Sequence, residues 1–255
     1  MTFAVVTTFS SRGYEVYGRR FIETFASFWP AEVPLFAYYE GDRPDDASER
    51  AIWQCLDDDR DRALFMEQHS DTDPKDYRKC PVRFCHKVFA VTGAPRDADH
   101  LIFLDADCET FAPVTNELLA ACCGDLGHAG SFLGRPYSRH SETGFLSFRI
   151  AGGGSYFLDE FRRFYVMGEP LRLPEQHDSM AYDVLRRMFE RSGYRFKNIC
   201  PQATGLTVFP HSPLKHFISH HKGAVRKEKA YGDHMIPGET RKTAQLKTMV
   251  LDEAG

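Results

Sequence analysis

Apolar and polar positions alternate along this chain with two distinct periods. Phe3 to Phe9 is a continuous apolar and β-branched run, which predicts a buried strand. Tyr17, Phe21, Thr24, Phe25 and Phe28 then recur at helical spacing until Pro30 ends the pattern. Val33 to Tyr39 reads as a second strand, so the chain opens as a βαβ unit and implies a parallel sheet. The stretch 40–78 reads as surface helix and loop, with a short helix around Ile52 to Leu56. Val82 to Val91 is compact and amphipathic, a helix, and Leu101 to Leu104 is a short buried strand. Pro113 opens a helix to about Cys122; Ser131 to Gly134 and Gly144 to Ile150 read as strands. Gly152 to Gly154 breaks the chain, with Ser155 as N-cap of a helix marked by Phe157, Phe161, Phe164 and Tyr165. A last helix runs from Ser179 to Glu190, with Asp178 at its start, and Phe196 to Ile199 precedes an irregular stretch rich in Pro, Gly and His. The fold class is α/β, with a central, mostly parallel sheet flanked by helices. Residues 1–231 read as one catalytic domain and 232–255 as a partly mobile tail.

Composition narrows the function classes. The chain has 255 residues and a formal net charge of −4, so no global basic field draws it to nucleic acid or membrane. Charge is uneven: Glu40 to Arg78 holds 13 acids against 6 bases, while His211 to Lys247 holds 8 Lys and Arg against 3 acids, with five histidines. That basic segment on an acidic protein points to an anionic ligand. The seven cysteines are odd in number and lack Cys-x-x-Cys spacing, which argues against a disulfide framework or a thiolate zinc site and for a reducing, cytoplasmic setting. No apolar run approaches the length of a membrane span, and the first residues do not have the pattern of a signal peptide, so a soluble protein without a transmembrane anchor is expected.

The strand Leu101 to Leu104 ends in Asp105-Ala106-Asp107. Ligands of parallel α/β sheets sit beyond the carboxyl ends of the strands. Side chains two apart on an extended chain face the same way, so both carboxylates can address one hard cation, Mn²⁺ or Mg²⁺, across the small Ala106. Such an ion would neutralise a diphosphate leaving group. A solvated acidic turn is the plainer alternative.

The segment FLDADCETFAPV resembles the DXD strand of GT-A glycosyltransferases, a Rossmann-like fold in which that motif holds a metal and, through it, a nucleotide sugar. Further resemblances follow from it. His220-His221-Lys222-Gly223-Ala224-Val225-Arg226 is similar to the late His-x-x-Gly-x-x-Lys element of family-8 glycosyltransferases, with Arg in the Lys position and without the Pro-Trp that often follows. It implies His220 as third metal ligand (His221 is the alternative), Gly223 at the phosphates, and Lys222, Arg226 or Lys227 on the diphosphate. The helix RFCHKVFAV implies Lys87, with Arg83 a turn earlier, at the sugar or its phosphate. Thr7, Thr8 and Phe9 end the first strand where the fold lines the base and ribose, with Phe9 or Tyr14 available to stack on uracil. Ser141 to Phe148 resembles the strand beside the donor sugar and acceptor, which implies Glu142 as a catalytic candidate able to bind sugar hydroxyls (a turn residue otherwise) and Gly144 at the donor; Asp178 faces that sugar while also suiting an N-cap, and His177 is an added acid/base candidate. Cys108 reads as packed and not reactive.

The resemblance implies transfer from a nucleoside diphosphate sugar, with UDP as the nucleotide, to an acceptor hydroxyl, with retention. The expected acceptor is a saccharide or glycan, with a protein side chain or a hydroxymethylated DNA base as alternatives. Two other readings exist. A haloacid-dehalogenase-like phosphatase also places Asp-x-Asp after an apolar strand, but near the N-terminus and with Thr or Val where Glu109 stands. A non-catalytic nucleotide-sugar binding module would need no intact metal ligands.

Overall fold

The computed structural model describes residues 1–73, 75–135, 140–203 and 207–221. The predicted basic contacts at Lys222, Gly223, Arg226 and Lys227, and the tail, lie outside the described residues.

In chain order, β1 (Phe3–Ser10) leads into a continuous helical stretch: α1 (Ser11–Gly13), a π-helical segment (Tyr14–Gly18) and α2 (Arg19–Phe28). Then come β2 (Leu35–Glu40), β3 (Ala51–Cys55), α3 (Arg60–Gln68), α4 (Val82–Gly93), β4 (His100–Leu104), β5 (Cys108–Thr110) and α5 (Asn116–Cys123). The chain continues through β6 (Gly130–Leu133), β7 (Glu142–Arg149), α6 (Gly154–Val166), α7 (Asp178–Arg191), β8 (Phe196–Asn198) and β9 (Ile218–His220). Seven strands form one sheet in the order β3-β2-β1-β4-β7-β6-β8, and β5 pairs with β9 in a separate two-stranded ribbon. Only β7 runs against the others in the large sheet. The expected α/β class with a mostly parallel, helix-flanked sheet is therefore what the chain forms.

The sheet is covered on both faces, which is why its central strands read as unbroken apolar runs. In β1, Phe3, Val5 and Phe9 join the core that includes α2, α5 and the residues before β9; Ala4 and Val6 join the core formed with α3, α4, α6 and α7. Both cores close the layers but leave the carboxyl ends of β1, β2 and β4 open. Because β7 is antiparallel, its first residues, Glu142 and Thr143, arrive at that same edge. Among the described residues no helix is long and apolar enough to cross a membrane.

Four local expectations need correction. The segment Ala51–Cys55 is an edge strand parallel to β2, not the start of a helix. Ala51 turns inward and Trp53 and Cys55 are half-buried, while Ile52 and Gln54 face solvent, a period of two hidden inside an acidic context. Helix α5 begins after Pro113, at Asn116, because Thr115 supplies the cap by accepting from the Leu118 amide at 3.3 Å. Helix α6 is entered through Gly153, at φ +100°, in place of Ser155; that backbone region favours glycine. The N-cap of α7 is His177, whose Nδ1 accepts from the Met180 amide at 3.2 Å, so Asp178 is the first helical residue.

Candidate functional site

A cleft of about 620 Å³ opens at the carboxyl edge of the sheet. Of the sequence-derived candidates, Thr8, Phe9, Arg83, Lys87, Asp105, Ala106, Asp107, Glu142, His177 and Asp178 line it. Thr7 does not: it is fully buried within β1 and outside the lining, since neighbouring strand positions point to opposite faces. Tyr14 is also withdrawn from the cleft. It is buried against Phe9 and Trp53, with its hydroxyl donating to Asp46 Oδ1 at 3.1 Å.

Lys87 projects from α4 to the centre of the site. Its Nζ lies 2.8 Å from Asp105 Oδ1 and 2.8 Å from Asp178 Oδ2, and it donates to the Thr143 carbonyl at 3.1 Å. Its three N–H bonds thus face four acceptors, the Thr143 hydroxyl at 3.2 Å being the fourth, from three separate segments. Burial alone would lower the Lys87 pKa, but the two carboxylates outweigh it and hold the ammonium above its ordinary value. Burial would likewise raise Asp178; Lys87 and the Thr143 hydroxyl, which donates at 2.6 Å, hold it below the ordinary carboxylate range instead. The sequence reading aimed Lys87 at the sugar or its phosphate; in this structure it faces two of the protein's own carboxylates.

Asp105 has two sides. Oδ1 meets Lys87, while Oδ2 faces Gly144. A Cβ added at Gly144 would stand 3.2 Å from Asp105 Oδ2 and 3.3 Å from His220 Cε1, so a side chain there would push the carboxylate and the imidazole apart by a few tenths of an ångström. Gly144 itself lies beneath the cleft floor and outside its lining. The β5–β9 ribbon brings His220 Nε2 to 3.3 Å from Asp107 Oδ1. One ligand atom each from Asp107, Cys108 and His220 lies within 4.8 Å of the others. Adjacent strand residues diverge, so His221 turns the other way, to Glu109 Oε2 at 3.3 Å, where Arg20 Nε also reaches at 3.0 Å. Of the two histidines, His220 is the one beside Asp107. The donors that stand together are those of Asp107, Cys108 and His220, while Asp105 Oδ2 faces the His220 ring across Gly144. A carboxylate and an imidazole are donors that a divalent cation can use.

The structure also reveals participants that sequence reading passed over. Arg135 ion-pairs with Glu142 in the cleft wall. His86, Glu40 and Arg62 form a further cluster: Arg62 Nε donates to His86 Nδ1 at 3.0 Å, and burial with the Arg62 charge pushes His86 down to about 4. His140 and Glu175 flank His177, whose Nε2 is 2.9 Å from Glu175 Oε2. No periodic or motif signal marks these residues, because their proximity joins segments far apart in sequence.

His177 has a defined tautomer. Its Nδ1 accepts the cap hydrogen bond, so its proton resides on Nε2 and is donated to Glu175. Both nitrogens are thereby engaged, which makes His177 a cap and an anchor more readily than a proton carrier. Replacing His177 with Ala is expected to cost about 1 kcal/mol through the lost cap, read as a lower urea midpoint at unchanged slope.

No protein-family model matches the chain, and no curated protein matches it in sequence. Solved structures do resemble it in shape. A glycosyltransferase, GlyE, of Streptococcus pneumoniae TIGR4 aligns at TM-score 0.44 and 10% identity, over 78% of this chain and 45% of that one. A glycosyltransferase involved in glycosylation of the major capsid of PBCV-1 aligns at TM-score 0.45 and 10% identity, over 90% of this chain and 100% of that one. Mouse xyloside xylosyltransferase 1 aligns at TM-score 0.44 and 10% identity, over 78% and 85%. This chain spans less than half the length of the pneumococcal one.

Proposed function

We propose that the protein is a metal-dependent glycosyltransferase of the GT-A type. It would move a sugar from a nucleoside diphosphate sugar, with UDP as the nucleotide, to the hydroxyl of a saccharide acceptor. The observation that carries this reading is His220 standing between two acidic residues, Nε2 3.3 Å from Asp107 Oδ1 and its ring facing Asp105 Oδ2 across Gly144, with the Lys87–Asp178 pair bound to Asp105, at the open edge of an α/β sheet. A divalent cation held by the first three would neutralise the diphosphate as it leaves.

The remaining roles fall to residues of this chain. Thr8 and Phe9, at the end of β1, lie where a nucleotide would meet the sheet edge. Asp178 faces the sugar end of the cleft, held there by Lys87 and Thr143. Retention is part of the proposal. An inverting reaction needs a carboxylate that takes the acceptor's proton, whereas Asp178 is bound by Lys87 and Glu142 by Arg135. In the retaining reaction the acceptor oxygen bonds to the anomeric carbon as the carbon–oxygen bond to diphosphate breaks, and the proton leaves with the diphosphate. A cytoplasmic location belongs to the same reading and is compatible with seven cysteines that are all free thiols.

A thermal-shift series with UDP- and GDP-sugars, with and without Mn²⁺, tests the donor. At a hundred times Kd, one ligand is expected to raise Tm by roughly 5–10 °C, only with metal present, and Asp107→Ala is expected to abolish the rise. The absence of any nucleotide effect, with metal or without, would overturn the proposal.

A further inference from the structure

We infer that Glu40 and His86 select the base of the nucleotide, the Glu40 carboxylate accepting from the N3–H of uracil and the His86 Nε2–H donating to the carbonyl beside it. The inference rests on the donor reading above and deepens it, since nothing in that reading tells uracil from cytosine.

Position comes first. Glu40 ends β2 in register with Ser10, the last residue of β1. Alternation puts Glu40, Ser10 and Thr8 on the face whose earlier residues, Ala4, Val6, Phe36 and Tyr38, pack in the core that α4 covers. His86 comes from that helix, immediately before Lys87. Glu40, His86, Thr8 and Ser10 all line the cleft. The strand order is β2-β1-β4, so Glu40 stands two strand spacings, about 10 Å, from the strand that leads to Asp105. A nucleotide with its diphosphate at Asp105 and its ribose across the end of β1 brings its base to this pair.

The chemistry comes second. Arg62, with a side chain 9% exposed, holds both groups from behind: its Nε donates to His86 Nδ1 at 3.0 Å and its Nη2 to Glu40 Oε2 at 3.2 Å. Arg62 is itself anchored by Asp57 Oδ1 at 2.7 Å. A guanidinium nitrogen only donates, so His86 Nδ1 must accept and the ring proton sits on Nε2. The ring is neutral at pH 7, because burial and the Arg62 charge push it down to about 4. Glu40 likewise turns Oε2 to Arg62, which leaves Oε1 on the other side of the carboxylate. Among the described residues neither His86 Nε2 nor Glu40 Oε1 has a hydrogen-bond partner.

The cleft thus presents one fixed donor and one fixed acceptor, half-buried and side by side. Such groups cost free energy against any ligand that leaves them unpaired, and they favour one with the complementary pair. Uracil carries that pair as its N3–H beside a carbonyl. Cytosine in the same pose sets a ring lone pair against the carboxylate and an amino group against the imidazole N–H. A site built on hydrogen bonds rejects such an analogue strongly, because its own polar groups are left unpaired.

Titration calorimetry on the full chain with UDP, CDP and N3-methyl-UDP, each with Mg²⁺, tests the assignment. The wild type is expected to bind UDP roughly tenfold or more tighter than either of the other two. Glu40→Gln keeps the shape of the side chain. Its amide oxygen stays with Arg62 and its amide nitrogen takes the place of Oε1, where it can donate to cytosine N3. The preference of this variant for UDP over CDP is therefore expected to shrink roughly fivefold or more. If the wild type binds UDP and N3-methyl-UDP equally well, or Glu40→Gln keeps the wild-type preference, the inference is overturned while the donor reading stands. If none of the three binds the wild type, the donor reading fails and the inference falls with it.

Discussion

Replacing Lys87 with Met will cost about 3 kcal/mol or more at neutral pH, the usual scale for removing one partner of a buried ion pair. For a chain of this size that is a fall in Tm of roughly 6–12 °C. The reason is that the ammonium is shared. Its removal leaves Asp178, with a side chain 5% exposed, and Asp105, 27% exposed, at the same place without their common cation. The cost should depend on pH in a defined direction. In the wild type Asp178 titrates below its ordinary value of 3.8, so its contribution to stability is present above that value and is lost as pH falls through the lower folded value. In the variant, burial, the largest influence, is opposed mainly by the Thr143 hydroxyl, and the Asp178 pKa is expected to rise above the ordinary value. Its native state then holds a proton that the unfolded chain releases, and the variant loses stability as pH climbs from the ordinary to the raised value. The gap between wild type and variant should therefore open as pH rises from the lowered wild-type value through the ordinary one to the raised value of the variant, then level off. Urea unfolding across pH 3.5–8 reads this directly. The double variant Lys87→Met with Asp178→Asn should recover much of the loss, because the uncompensated charge is gone. A gap independent of pH, with no recovery in the double variant, would mean that Lys87 contributes packing and not charge.

The second large effect is expected at Gly144. Gly144→Val inserts a branched side chain where even a Cβ would stand 3.2 Å from Asp105 Oδ2 and 3.3 Å from both His220 Cε1 and a Phe209 ring carbon. The backbone there cannot withdraw easily, since the Asp105 amide donates to the Gly144 carbonyl at 2.9 Å. The added atoms must separate the carboxylate from the imidazole. Mn²⁺ affinity by titration calorimetry is expected to fall roughly 10- to 100-fold, the scale seen when ligand orientation is disturbed. Folding should suffer less, by about 1–3 kcal/mol of overpacking. Gly144→Ala should give an intermediate loss. Unchanged Mn²⁺ affinity in the valine variant would show that Asp105 and His220 do not share an ion.

Particular elements show how far the sequence reached. The run Phe3 to Phe9, the helical recurrence from Tyr17 to Phe28, and the apolar strand before Asp105 were legible because burial imposes a period, and a period is a local property. The same logic, read with too little weight on alternation, turned Ala51–Cys55 into a helix; its half-buried edge position left one side polar and the acidic neighbourhood hid the pattern. Helix entries at Gly153, Thr115 and His177 were misplaced by a residue or more, since several capping residues stood within reach of each start and only backbone geometry chooses among them.

The sequence marks Asp105 and Asp107 because they follow an apolar strand, and His220 because a motif carries it; the structure puts Ala106 and Asp107 in the turn after β4 and His220 Nε2 3.3 Å from Asp107 Oδ1. The partners of those residues are not marked. Whether Lys87 meets a ligand or meets Asp105 and Asp178 depends on α4 crossing the sheet edge opposite the start of α7, an arrangement of elements 91 positions apart in sequence. That Thr7 is sealed within the sheet while Thr8 reaches the cleft follows from which face the helices cover. His140 and Tyr77, which line the cleft, come from two loops that no period connects. The sequence by itself determined the layers, the direction of most strands and the strand end where the carboxylates stand, because apolar burial writes those into local spacing. Only the tertiary structure decided which charges are shared and which histidine side chain stands beside Asp107, because those depend on distances between segments that meet only after the sheet has been assembled.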